Sequence, residues 1–202
     1  PDRGLCGGLN ANLNRQVGQF MLEQESPVQA IAVGRKGRDF IARTNQDLKA
    51  TFTDLGETPL FLDTHAISHK IIASVCEGET DEIYLAYTNF VSPMGQEPVI
   101  DQLHPIIPPE QTSTDRVGYL YEPGNLTVLQ NLLPRFVEMQ VYHAILESIA
   151  SEQSARMVAM RAATDNANEL SGDLTLVMNK LRQESITNEL LDLIGGQIAL
   201  EG

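Results

Sequence analysis

Tryptophan is absent from this chain of 202 residues, aromatic side chains make up 5% of it, and there are two cysteines. So few rings exclude an aromatic platform for stacking nucleobases. Cys6 and Cys76 are far apart in sequence and show no CxxC spacing, which excludes a disulfide scaffold and a cysteine-rich zinc site. Basic residues are also few: 14 Lys and Arg stand against 27 Asp and Glu, for a net charge of −13. The summed field repels nucleic acid and anionic membrane, so neither is an expected partner. No apolar run approaches the roughly 18 residues that would span a bilayer, and no secretory leader is recognised, so the chain is expected to be intracellular and soluble without direct membrane insertion.

What is present suits a globular core, since 42% of the residues are hydrophobic. Up to about residue 124, short β-like runs alternate with helical ones. The spacing predicts a helix over 9–25, a buried strand over 28–34 ("VQAIAVG") and a second helix in "RKGRDFIART". A variable stretch over 44–62 precedes another predicted helix, "DTHAISHKIIASVCEG", with Asp63 or Thr64 as N-cap and Gly78 as C-cap. "DEIYLAYTNFV" (81–91) reads as a second buried strand, and "EPVIDQLHPI" (97–106), flanked by prolines, as an edge strand. This alternation implies an α/β fold with a parallel sheet. From 125 onward the pattern is that of one long helix. Apolar or small residues, among them Leu129, Leu133, Phe136, Ala144, Ser148, Ala155, Leu170, Leu174, Val177 and Leu181, recur mostly three or four apart. Unbroken, such a helix would be roughly 100 Å long, and its Ala, Ser and Asn positions bury too little to hold it without partners. The predicted division is therefore 1–124 and 125–202.

Several motifs invite chemical readings. The opening turn, "DRGLCGGLNAN", lacks the GK[ST] of a P-loop and the GxGxxG spacing of a dinucleotide fold. Gly4, Gly7 and Gly8 are thus expected to shape a turn between strand and helix rather than to cradle phosphate. Cys6 at a helix start has no base nearby in sequence and reads as a small buried thiol. His65 and His69 in "HAISH" are one turn apart but lack the glutamate of HExxH and a third ligand, so a solvated helix face is expected and no metal. The carboxylates of "ATDNANE" and "TNELLD" read as helix-surface charge, and nothing in the chain assembles a catalytic set.

Three stretches carry a family resemblance: "DRGLCGGLNANL", "YLYEPGNLTVLQNLLPRFVEMQVYHAILESIASEQSARMVAMRAATDNANEL" and "NKLRQESITNELLDLIGG". They closely resemble the γ subunit of bacterial rotary F-type ATP synthases, and the similarity runs over essentially the whole chain. The resemblance implies a Rossmann-like, mostly parallel α/β domain that binds no nucleotide, followed by a long shaft helix forming half of an antiparallel coiled coil. It implies a non-catalytic rotor with no cofactor, working against the α and β subunits of the catalytic hexamer, the ε subunit and the c-ring. The implied location is peripheral, at the cytoplasmic face of the bacterial plasma membrane. Arg182, Gln183 and Thr187 match positions that meet a carboxylate-bearing loop of the β subunit. Tyr119 and Tyr121 match positions beside ε and the c-ring loops respectively. Leu190, Leu191, Leu193 and Ile194 match the apolar tip that turns in the sleeve of the hexamer. The family opens with a long helix and a first strand before the DRGLCGG turn, so this chain is expected to lack about a quarter of the usual protein. The cysteine-bearing insertion of photosynthetic relatives is not recognised either. A free-standing Rossmann-like binding protein or enzyme, dimerising through its C-terminal helix with Gly4, Gly7 and Gly8 at a ligand site, is the alternative.

Overall fold

A computed structural model describes residues 1–107, 121, 122 and 124–201, with side chains to Gln197. In chain order the elements are α1 (Leu9–Glu23), β1 (Gln29–Val33), α2 (Arg35–Arg43), β2 (Asp47–Phe52), a 3₁₀ turn (Phe61–Thr64), α3 (His65–Cys76), β3 (Ile83–Ser92), β4 (Gly95–His104) and α4 (Asn125–Glu201). The chain divides into two compact units, Pro1–Val158 and Ala159–Gly202.

In the first unit, β1 and β2 pair in parallel with α2 as the crossover between them, while β3 and β4 form an antiparallel hairpin. The fold is the expected α/β class, but its parallel part is confined to β1 and β2. Strand β2 occupies the stretch whose sequence shows no clear pattern: "DLKATF" is half-buried along most of its length, so apolar alternation is weak. The hairpin follows from Ser92-Pro93-Met94-Gly95, where Pro presets the second turn position and Gly closes the turn.

Helix α3 supplies the centre of the core. Ile67 and Ile71, one turn apart, are buried with Leu103 of β4 and Val141 and Ile145 of α4, and Ile31, Val33, Phe52, Ile83 and Leu85 pack around them. Of the two expected N-caps of α3, Thr64 holds the position, and Asp63 instead accepts the Leu60 N–H at 2.7 Å to close the 3₁₀ turn. The helix ends as expected of its glycine. Gly78, at φ +70°, lets its own N–H reach the Val75 carbonyl and the Glu79 N–H reach that of Ser74, both at 3.0 Å, satisfying two terminal carbonyls.

The first unit includes α4 as far as Val158, and there the helix buries Val141, Ala144, Ile145 and Ser151. Pro134 lies inside α4 and gives up one backbone bond. In the second unit α4 continues alone, and every residue from 161 to 197 is exposed.

Candidate functional site

The opening turn is the first place to look for a ligand. Gly8 caps α1, Asn12 N–H bonds the Gly8 carbonyl at 2.9 Å, and Cys6 and Leu9 anchor the turn in the core. Among the three glycines Gly7 has positive φ (+58°); Gly8 is at −84°, and Leu5 instead takes a left-handed conformation at +64°. The Cys6 thiol is buried and accepts a hydrogen bond from the Asn10 amide at 3.2 Å, as a packed thiol rather than a nucleophile beside a base.

An α/β fold binds phosphate at the carboxyl end of a strand, where the next helix presents free N–H groups. Here that place is the junction of β1, Gly34 and α2, and the chain's own first residues fill it. The Asp2 carboxylate accepts the Arg35 N–H at 2.8 Å with one oxygen and the Asp54 N–H at 3.1 Å with the other. The Pro1 carbonyl accepts the Lys36 N–H at 3.1 Å. Gly34 is indispensable to this closure. Its φ of +95° and ψ of 152° suit glycine alone, and a Cβ there would stand 3.1 Å from the Pro1 carbonyl carbon and oxygen. Gly34→Ala is therefore expected to destabilise the first unit by about 1–3 kcal/mol, read as a lowered urea midpoint at unchanged slope.

The basic residues gathered on α2 are partly neutralised in place. Arg35 pairs with Asp54 at 2.6 Å and Arg38 with Asp39 at 2.7 Å, and the Arg38 hydrogen bond holds the Asp39 carboxyl below its ordinary range. His65 and His69 do not act together. His65 lies 3.5 Å from Glu138 of α4 and edge-on to Phe61, whereas His69 is exposed. No three His, Cys, Asp or Glu side chains gather into a possible metal site among the described residues. On the hairpin, Tyr87 donates to Asp101 at 2.8 Å. Burial, that bond and the nearby charges of Asp101 and Glu147 push its phenol up to about 12.

The long helix offers surface rather than chemistry. Arg182, Gln183 and Thr187 are all exposed, with Gln183 and Thr187 one turn apart on one face of α4 and Arg182 on the adjoining flank. Arg182 makes no ion pair among the described residues, and the Thr187 hydroxyl bonds back to the Gln183 carbonyl at 2.9 Å. Leu190, Leu191, Leu193 and Ile194 are more than half exposed, an apolar end that no other described residue covers. Tyr121 is exposed just before α4, and Tyr119 lies outside the described residues. A second apolar stripe follows a seven-residue rhythm along α4: Leu129, Phe136 and Met157 in one row, Leu132, Met139, Leu146 and Met160 in the other, all exposed. Sequence periodicity found helix and seam, but it did not separate this open stripe from the face that packs on the α/β half.

The family model described as "ATP synthase" matches residues 1–200. The ATP synthase gamma chain of Dehalococcoides mccartyi (strain ATCC BAA-2266 / KCTC 15142 / 195) is 62% identical over 200 residues, spanning 99% of this chain and 70% of that protein. That of Roseiflexus sp. (strain RS-1) is 49% identical over 203 residues, again 99% and 70%. Among solved structures, a chain of the Euglena gracilis mitochondrial ATP synthase (OSCP/F1/c-ring, rotational state 3) superposes with a TM-score of 0.70 at 22% identity, over 98% of this chain and 70% of that one. A chain of the Tetrahymena thermophila mitochondrial ATP synthase central stalk and c-ring gives 0.64 at 26% identity, over 81% and 72%.

Proposed function

The chain belongs to the ATP synthase gamma chain family, a non-catalytic central-stalk subunit, and from that premise we propose how its surfaces divide the work of a rotor. Residues 1–124 make up the α/β body, and Tyr119 and Tyr121 meet ε and the c-ring. Residues 125–202 form the shaft. Arg182, Gln183 and Thr187 engage the β subunit, and the apolar end at Leu190, Leu191, Leu193 and Ile194 turns against the α and β subunits of the hexamer. The complex translocates ions at the bacterial plasma membrane, with this chain peripheral to it. No described helix is long and apolar enough to cross a membrane.

The observation that carries this reading is α4 itself: a helix exposed along the whole of 161–197, apolar at its far end and built of directional polar groups just before it. Such a surface is stable only inside a partner. Rotation would present its faces in turn to each catalytic subunit, biasing each between open and closed states. The free-standing ligand-binding alternative finds no support at the end of β1, where Asp2 and Pro1 occupy the N–H groups of α2 that a phosphate would take.

Cross-linking tests the assignment. In a full-length rotor with exposed Cys76 replaced and buried Cys6 retained, Tyr121→Cys should couple to a c subunit and Leu193→Cys to α or β. The reverse pattern, or coupling of Leu193→Cys to another copy of the rotor, would reject it.

A further inference from the structure

Strand β3 should have an open edge, and α4 closes part of it. In the β3–β4 register Thr88 stands opposite Pro98, which has no N–H to donate. That pair is therefore a non-hydrogen-bonded one, and the N–H and C=O of Thr88, like those of Phe90 two residues on, point away from β4. Two side chains of α4 meet this edge and a third meets the turn that follows it. The Ser151 hydroxyl, fully buried, donates to the Thr88 carbonyl at 3.1 Å. Glu147 accepts the Phe90 N–H at 2.9 Å, and the Ser154 hydroxyl donates to the Pro93 carbonyl at 2.9 Å. Residues 147, 151 and 154 lie on one face over two turns of helix.

The rest of this contact is largely apolar, although nearer the start of α4 Tyr142 donates to the Pro59 carbonyl at 3.4 Å and Glu138 lies 3.5 Å from His65. Val141 and Ile145 pack in the core, and burial of that kind is non-directional, so it resists separation far better than it resists turning. The three hydrogen bonds differ. A twist of α4 about its own axis by about 20° would carry an oxygen about 5 Å from that axis through roughly 2 Å, beyond hydrogen-bonding range. It would also leave the Thr88 carbonyl buried beside an unbonded hydroxyl, which adds a desolvation cost.

We propose that Glu147, Ser151 and Ser154 are a torsional clamp, positioning residues that lock the rotation of α4 to the α/β half so that torque passes between them. The inference rests on the rotor reading and specifies where, within the first unit, shaft and body are joined. The acceptor at 147 is what the clamp uses, not its charge, so Glu147→Gln should serve nearly as well as glutamate. Ser154→Thr retains a hydroxyl at a partly exposed position.

The test is made in intact ATP synthase, assembled with a full-length rotor carrying this sequence, in sealed vesicles. Ions pumped per ATP are measured against an opposing gradient, beside hydrolysis without load. The Glu147→Ala/Ser151→Ala/Ser154→Ala rotor should hydrolyse ATP normally without load but pump about twofold fewer ions per ATP, or worse, under load. Glu147→Gln with Ser154→Thr should restore the ratio. A merely structural role would lower the amount of assembled enzyme and leave the ratio of what does assemble unchanged, which would overturn the clamp. If the triple variant does not assemble, Glu147→Ala and Ser154→Ala are read singly, and unchanged ratios in both overturn it equally. Absence of ATP-driven pumping with the unsubstituted rotor would count against the rotor reading itself, not against the clamp.

Discussion

Replacing both Arg182 and Gln183 with alanine in a full-length rotor is expected to depress coupled ATP turnover strongly, while Glu184→Ala, one residue on, does much less. Both side chains are exposed on a helix to which they contribute no internal contact, and Arg182 has no ion pair among the described residues, so truncation costs the fold little. On the proposed assignment, what is lost is contact with the β subunit. A guanidinium and an amide form directional bonds to a carboxylate that hold at one shaft angle and break at another. At about 1–3 kcal/mol for each charge-assisted bond, removing both should slow the angle-dependent step by one to a few orders of magnitude, roughly tenfold for each 1.4 kcal/mol. Thr187→Ala should have a small effect by comparison, because its hydroxyl is already spent on the Gln183 carbonyl. Stopped-flow turnover together with single-molecule dwell times would locate the slowed step. Unchanged dwell times in the double variant would reject the contact assignment.

The second large effect concerns the isolated 202-residue chain. Residues 161–197 bury nothing, and Gly172, with no neighbour within 4 Å of its would-be Cβ, costs the helix about 1 kcal/mol relative to alanine. Helix formation without tertiary burial is marginal, so amide exchange there should be slowed by no more than about tenfold. From Val137 to Ser151 the same helix is packed into the core, and its amides should be protected to the limit set by global unfolding. The expected profile is thus a step near residue 158 within one continuous helix. Self-association through Leu190, Leu191, Leu193 and Ile194 would raise protection at the far end in a concentration-dependent way. A peptide of the N-terminal helix that the family resemblance implies should extend protection past 160. Strong, concentration-independent protection over 161–190 in the chain alone would show that α4 needs no partner.

Legibility from sequence tracks how one-sided each element's environment is. Helix α3 and strand β1 were readable within a residue or two because their apolar positions face one core. Strand β2 was not, since its residues are mostly half-buried and leave no alternation to find. The β3–β4 hairpin was hidden by the expectation of a parallel sheet, although the Pro and Gly of its turn were available signals. At the opening turn the sequence pointed to the glycines themselves. The closure that Asp2 and Gly34 make, separated in sequence and joined only by the fold, lies elsewhere, at the N-terminus of α2. Pairings at that separation are set by topology and leave no local pattern. Likewise Glu147, Ser151 and Ser154 read as ordinary small or polar helix residues until β3 is placed beside them.

The carboxylate that Asp2 sets against α2 differs from any dissolved anion in one respect: it is tethered. A group held by its own backbone a single residue from the Pro1 carbonyl, which bonds the same helix end, acts at an effective concentration of millimolar or more and never diffuses away. Free nucleotides and inorganic phosphate would have to outcompete it at every moment, and they bring no compensating contact. The N–H groups of Arg35 and Lys36 are therefore withheld from dissolved phosphate.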